Sequence, residues 1–187
     1  IQCMAVWIPD DVTDDYGKKL FDKAYLKLKK ECEEDYVTVC RDFSDLKSVT
    51  KNKKYGVIFT LENGRLIKNI DDLTALKNCG VKMITLTWNG ENSLGSGVKA
   101  ERDSGLTPLG KDVIREMNRL GIVVDVSHSS DKLFYEAAQI STAPIAASHS
   151  NSRKITDNPR NITDEQFKIV CQKGGVVGLN FCRSFLT

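Results

Sequence analysis

Two stretches decide how this chain folds: Val123-Val124-Asp125-Val126-Ser127-His128-Ser129 and Ile145-Ala146-Ala147-Ser148-His149-Ser150. Each is a short apolar run followed at once by a histidine, and the chain has only 2 histidines. Short runs rich in β-branched and small apolar residues, without polar alternation, read as strands buried on both faces. The complete set of such runs is 3–8, 55–61, 82–87, 122–126, 144–147 and 176–181.

Longer amphipathic segments lie between them. Thr107 followed by Pro108 is an N-cap with proline at the first helical position, Val113, Ile114, Met117 and Leu120 form an apolar stripe, and Gly121 is a stop. Residues 131–140 and 163–173 repeat the scheme, the latter stopped by Gly174 and Gly175. The charge run 18–34 carries Leu20, Phe21, Ala24 and Leu28 at helical spacing, as a solvated amphipathic helix does. Strand, helix, strand recurs five times. That alternation implies a parallel sheet with right-handed crossovers, either open or closed into a barrel. No G-x-G-x-x-G or Walker sequence follows any strand, which removes support from the nucleotide-binding open sheets. The expectation is an α/β fold of the TIM-type (β/α)8 barrel kind.

The 187 residues fall short of the roughly 250 of a complete barrel of this type. No linker composition interrupts them, so 1–187 reads as a single, partial barrel domain. With 27 Lys plus Arg against 25 Asp plus Glu, there is no basic face for nucleic acid, and no segment reads as a membrane span. The 6 cysteines form no C-x-x-C pair and read as reduced thiols. Asn161-Ile162-Thr163 matches a glycosylation acceptor, but Thr163 also stands three residues before Gln166, where a helix cap belongs, and the cap is the expected role. No signal peptide or lipid-anchor pattern is present between Ile1 and Thr187, and the cytoplasm is the expected compartment.

The two histidines are 21 residues apart, one strand-helix unit, and both follow strand ends. The C-terminal ends of parallel strands are where α/β barrels assemble their chemistry, so neighbouring strands would bring the imidazoles together. A single buried histidine is ordinarily a hydrogen-bonded core residue; two in matched positions point instead to a ligand pair. Glu62 ends the run 55–61, where an isolated carboxylate is costly to bury without a cation. Its bland alternative is an ion pair with Arg65 or Lys68. Two imidazoles and a carboxylate suit Zn2+ better than calcium or magnesium.

At these residues the chain resembles the membrane (renal) dipeptidases and their microbial relatives in zinc peptidase family M19. The most specific stretches are Gly105-Leu-Thr-Pro-Leu-Gly through Met117-Asn-Arg-Leu-Gly, Val124-Asp-Val-Ser-His128, Ala147-Ser-His149-Ser-Asn-Ser-Arg153 and Asn158-Pro-Arg160-Asn. The resemblance implies a barrel with two zinc ions per complete site, Glu62 bridging them and His128 and His149 binding the second. It implies a dipeptide substrate whose terminal carboxylate is held by Arg160, and a hydroxide between the metals as the attacking group. A guanidinium forks onto a carboxylate in bidentate fashion, which suits Arg160; otherwise it is a surface arginine. No catalytic residue beyond these is expected within the chain, and a homodimer stands open beside a monomer.

The chain departs from the family pattern in two respects. The family's opening strand, with its His-x-Asp pair, has no counterpart before Ile1, and its last strand, with a proton-shuttling aspartate, none after Thr187. The chain then holds strands two to seven, leaves two unpaired sheet edges, and is expected to be an excerpt or to be completed by another segment. Secondly, Trp88 stands where the animal enzymes carry a substrate-contacting histidine, which makes altered substrate preference an expectation. Two alternatives remain: a barrel metallohydrolase of the amidohydrolase kind, which Glu62 in place of a bridging lysine opposes, and a catalytically inactive barrel acting as a binding or scaffold protein.

Overall fold

The computed structural model describes residues 1–187. In chain order it comprises β1 (Gln2–Trp7), α1 (Asp14–Glu31), β2 (Val37–Val39), α2 (Phe43–Asn52), β3 (Tyr55–Glu62), α3 (Ile70–Asn78), β4 (Val81–Thr85), α4 (Pro108–Leu120), β5 (Val123–Asp125), α5 (Asp131–Ile140), β6 (Ile145–Ala147), α6 (Asp164–Gln172) and β7 (Val176–Val177). The strands pair in parallel in the order β1-β3-β4-β5-β6-β7, with β2 added beside the start of β3. The sheet curls into part of a TIM-type barrel, as the alternation of runs predicts. Five crossovers connect its six barrel strands, and β2 and α2 lengthen the first of them.

The helix ends obey the local chemistry. Thr107 accepts from Gly110 N–H at the start of α4, and Gly121 closes it at φ 67°. Thr163 and Gln166 form a reciprocal capping box on α6, so Thr163 is a cap, and Asn161 beside it is buried and hydrogen-bonded to the carbonyls of Thr156 and Phe185. The sequence does not anticipate α2, and it requires α3 through the alternation between runs 55–61 and 82–87 without giving its bounds; the Asp42 side chain caps the first, and an Asn69–Asp72 capping box starts the second. The ladder of β7 ends sooner than residue 181, with Gly178 N–H on the Ala147 carbonyl as one of its last bonds. No helix is long and apolar enough to cross a membrane.

Burial on both faces holds only for the middle of the sheet. Leu61, Ile84, Val124 and Ala147 are fully enclosed and join Ile114, Met117, Leu133 and Val170 from the helices in one apolar core. The outer strands β1 and β7 have a neighbour on one side only, and most of their residues remain exposed or half-buried.

At the C-terminal ends of the middle strands the sheet is tied by a polar residue. Asp125, fully buried at the end of β5, accepts four hydrogen bonds: from Thr85 Oγ1 at 2.6 Å, Ser148 Oγ at 2.6 Å, Ser148 N at 2.9 Å and Ser127 N at 3.0 Å. One carboxylate thus joins β4, β5 and the segment after β6. A buried carboxylate is tolerable only when its lone pairs are filled in this way.

Two substitutions test this arrangement by chemical denaturation of the intact protein. Thr85→Val keeps the shape but removes one donor from Asp125, and the expected loss is about 1–3 kcal/mol. Gly178→Ala would drive a Cβ into the Ser148 carbonyl oxygen, forcing β7 away from β6, with an expected loss of roughly 1–3 kcal/mol.

Candidate metal centre

Glu62, His128 and His149 meet at the C-terminal mouth of the curled sheet. Their nearest ligand atoms all lie within 4.8 Å of one another. Glu62 is the last residue of β3, while the two histidines stand in the turns after β5 and β6. His128 has φ 67°, a left-handed backbone that L side chains seldom adopt. Its carbonyl turns away to accept from Val98 N–H at 2.8 Å, and its imidazole turns toward Glu62.

His128 Nε2 lies 2.9 Å from His149 Nε2 and 3.2 Å from Glu62 Oε1, and His149 Nε2 lies 3.7 Å from the same oxygen. The opposite ring nitrogens are occupied. His128 Nδ1 meets Asn89 Oδ1 at 3.0 Å, and His149 Nδ1 meets Ser148 Oγ at 2.7 Å. A carboxamide oxygen can only accept, so His128 carries its proton on Nδ1 with Asn89 in this orientation, and its Nε2 presents a bare lone pair.

The electrostatics keep the imidazoles uncharged and work against the charge on Glu62. Burial, aided by the Arg160 charge, lowers His128 to about 3. Burial and then Arg160 likewise lower His149. Burial raises Glu62 from its ordinary value, with the His149 interaction opposing. The short Glu62–His128 contact is therefore not an ion pair: it sets an acidic oxygen against an uncharged nitrogen lone pair. Three electron-rich atoms converging in a half-buried space is an arrangement that a divalent cation would satisfy, and the nitrogen and oxygen donor set fits a transition ion.

The ion-pair alternative for Glu62 does not hold, because Arg65 donates to the carbonyls of Pro9 and Asp10 and joins Lys68 on Asp14. Arg160 is not a surface residue: it is 5% exposed, with Nη2 on the His149 carbonyl at 3.0 Å and Nη1 on Ser150 Oγ at 3.3 Å. Its Nε is buried without a partner, and burial lowers its pKa to about 10. Trp88 stacks edge-on against Trp7 with centroids 5.0 Å apart, and its ring centre is 6.2 Å from that of His128. A cavity of about 390 Å3 between α1 and α3 is lined by Asp14 and Lys68 but by none of Glu62, His128, His149, Arg160 and Trp88.

Asp125, Ser148 and Asn89 were not singled out by the sequence. The one signal was Asp125 itself, an acidic residue inside an otherwise apolar strand run.

Comparisons with known proteins place the chain in a family. The family model for membrane dipeptidase, peptidase family M19, matches residues 1–187. An uncharacterized protein from the pqqA 5′ region of Klebsiella pneumoniae is 35% identical over 155 residues, 79% of this chain and 57% of its own length. An uncharacterized dipeptidase of Schizosaccharomyces pombe is 39% identical over 110 residues, 58% of this chain and 27% of its own. The crystal structure of the dipeptidase AC, a metallo peptidase of family M19, superposes with a TM-score of 0.89 at 26% identity, covering 99% of this chain and 60% of that one. The chain spans about half the length of the first curated relatives it matches, 57% and 50%. With its whole length matched by the family model, this chain belongs to the membrane dipeptidase family, peptidase family M19.

Proposed function

We propose that this chain carries a large part of the active site of a zinc-dependent dipeptidase, within a single barrel domain to which residues 1–187 contribute. The observation that carries the reading is the convergence of Glu62, His128 and His149 within 4.8 Å at the barrel mouth. In this reading Glu62, His128 and His149 would hold zinc, and Glu62, with two carboxylate oxygens, could be shared with the second zinc of a complete site. Bound metal would supply Lewis-acid polarisation of the scissile carbonyl and a water that ionises near neutral pH.

The chain's own residues bind and orient. Arg160 is fixed through two of its nitrogens to the segment carrying His149, and its charge reaches both histidines. A dipeptide's terminal carboxylate paired with this guanidinium would lie at a set distance from the ligand cluster. That spacing selects short substrates without a long peptide groove. Trp88 and Trp7 form an aromatic surface beside His128, where a protonatable imidazole is absent, and this supports a substrate preference different from that of the animal enzymes.

The test is zinc content of the intact, full-length protein by elemental analysis, together with hydrolysis of L,L and L,D dipeptides. The expected result is about two zincs per chain and turnover that falls by more than ~100-fold in His149→Ala, since losing only a supporting partner of a ligand costs about 10–100-fold. Metal uptake without turnover of any dipeptide would favour the inactive barrel. Arg160→Lys keeps the charge but not the fork, and should raise KM about 10–100-fold with a smaller change in kcat, the worth of one or two charge-assisted hydrogen bonds.

A further inference from the structure

We propose that Asp125 is a positioning residue for the metal centre, acting through Ser148 to hold His149 in the one tautomer whose Nε2 is free to bind a cation. This rests on the reading of Glu62, His128 and His149 as ligands.

The tautomer is fixed by a count of protons. Asp125 is fully buried, and its Oδ2 stands 2.6 Å from Ser148 Oγ. A carboxylate only accepts, and two oxygens this close without a proton between them repel, so the single Ser148 hydroxyl proton points at Asp125. Ser148 Oγ is then left with lone pairs toward His149 Nδ1, 2.7 Å away. That contact holds only if Nδ1 carries the proton, and a neutral imidazole has one proton to place. His149 Nε2 is therefore bare, and it is this atom that faces His128 and Glu62.

The same residues fix the ligand's position as well as its tautomer. Asp125 Oδ1 accepts from Ser127 N and Ser148 N, and Ser127 Oγ in turn accepts from His149 N at 3.0 Å. The backbone at His149 is thus pinned to the end of β5, the element that also leads into His128. Thr85 Oγ1 fills the remaining capacity of Oδ2, so the carboxylate is held from the β4 side and does not swing. A histidine ligand commonly donates its second nitrogen to a carboxylate directly. Here a serine is inserted between the two, and its hydroxyl passes the orientation along.

The experiment is a nitrogen-15 spectrum of the histidine side chains in the metal-free and zinc-loaded full-length protein, with His149 identified through His149→Gln. Zinc affinity is measured alongside by chelator competition. Wild type should show His149 protonated on Nδ1 in both states. Ser148→Ala removes the acceptor and should give a mixture of tautomers and a zinc affinity about 10–100-fold weaker, with Ser148→Thr restoring both. Asp125→Asn can turn an N–H toward Ser148, leaving the hydroxyl free to donate a hydrogen bond to a bare His149 Nδ1, and should shift His149 to the Nε2–H form. Because that variant disturbs the two hydroxyl donors, Thr85 and Ser148, that link strands through Oδ2, Ser148→Ala decides if it does not fold. A Ser148→Ala protein that keeps the single Nδ1–H tautomer and wild-type zinc affinity overturns this proposal alone. Wild type that takes up no zinc overturns the metal reading and this proposal together.

Discussion

A carboxylate buried at the end of a strand must have its lone pairs filled from within the protein, and Asp125 meets that demand with donors from three places in the sheet. The demand works in both directions. The donors make the charge tolerable, and the charge obliges β4, β5 and the turn after β6 to keep their relative heights. Each middle strand is short, three residues in β5 and three in β6, so ladder bonds alone give little control over the turns beyond them. Those turns carry His128 and His149, and the Asp125 network extends the sheet's control as far as these candidate ligands.

The electrostatic character of the site arises from the same geometry. Burial moves both histidines down and Glu62 up, and Arg160 adds to the first effect while opposing the second. Without a cation the protein gathers atoms whose charges and lone pairs do not compensate one another. Arg160 is close enough to influence them but is committed to Ser150 and the His149 carbonyl. Its partnerless Nε shows that even this guanidinium is not fully satisfied by the chain.

Much of the barrel was legible because its signal is local. The apolar runs at 55–61, 122–126 and 144–147 lie on β3, β5 and β6, and the Thr107-Pro108 start of α4 was readable from two adjacent residues. The helix α2 escaped because ten residues with few apolar positions give no clear period, β2 is only three residues long, and α3 was implied by the alternation without its ends being read. The candidate ligands were legible by position, as side chains at successive strand ends. Their supports were not. Asn89 lies 39 residues from His128, and Thr85 and Ser148 lie 40 and 23 residues from Asp125, separations that periodicity does not register. A serine before a histidine becomes informative only when the neighbouring strand brings a carboxylate to it.

The left-handed backbone at His128 also bears on how such a site would decay. For most side chains that conformation is unfavourable by about 1–2 kcal/mol, and asparagine and glycine tolerate it best. As long as the imidazole served as a ligand, its chemistry would override the backbone's preference. In a lineage that had lost the metal, the backbone would become the stronger selective force, and position 128 would drift toward Asn or Gly rather than toward the β-branched residues of the preceding strand. A glycine or asparagine there in a distant relative would then be the trace of an abandoned ligand, written in main-chain geometry.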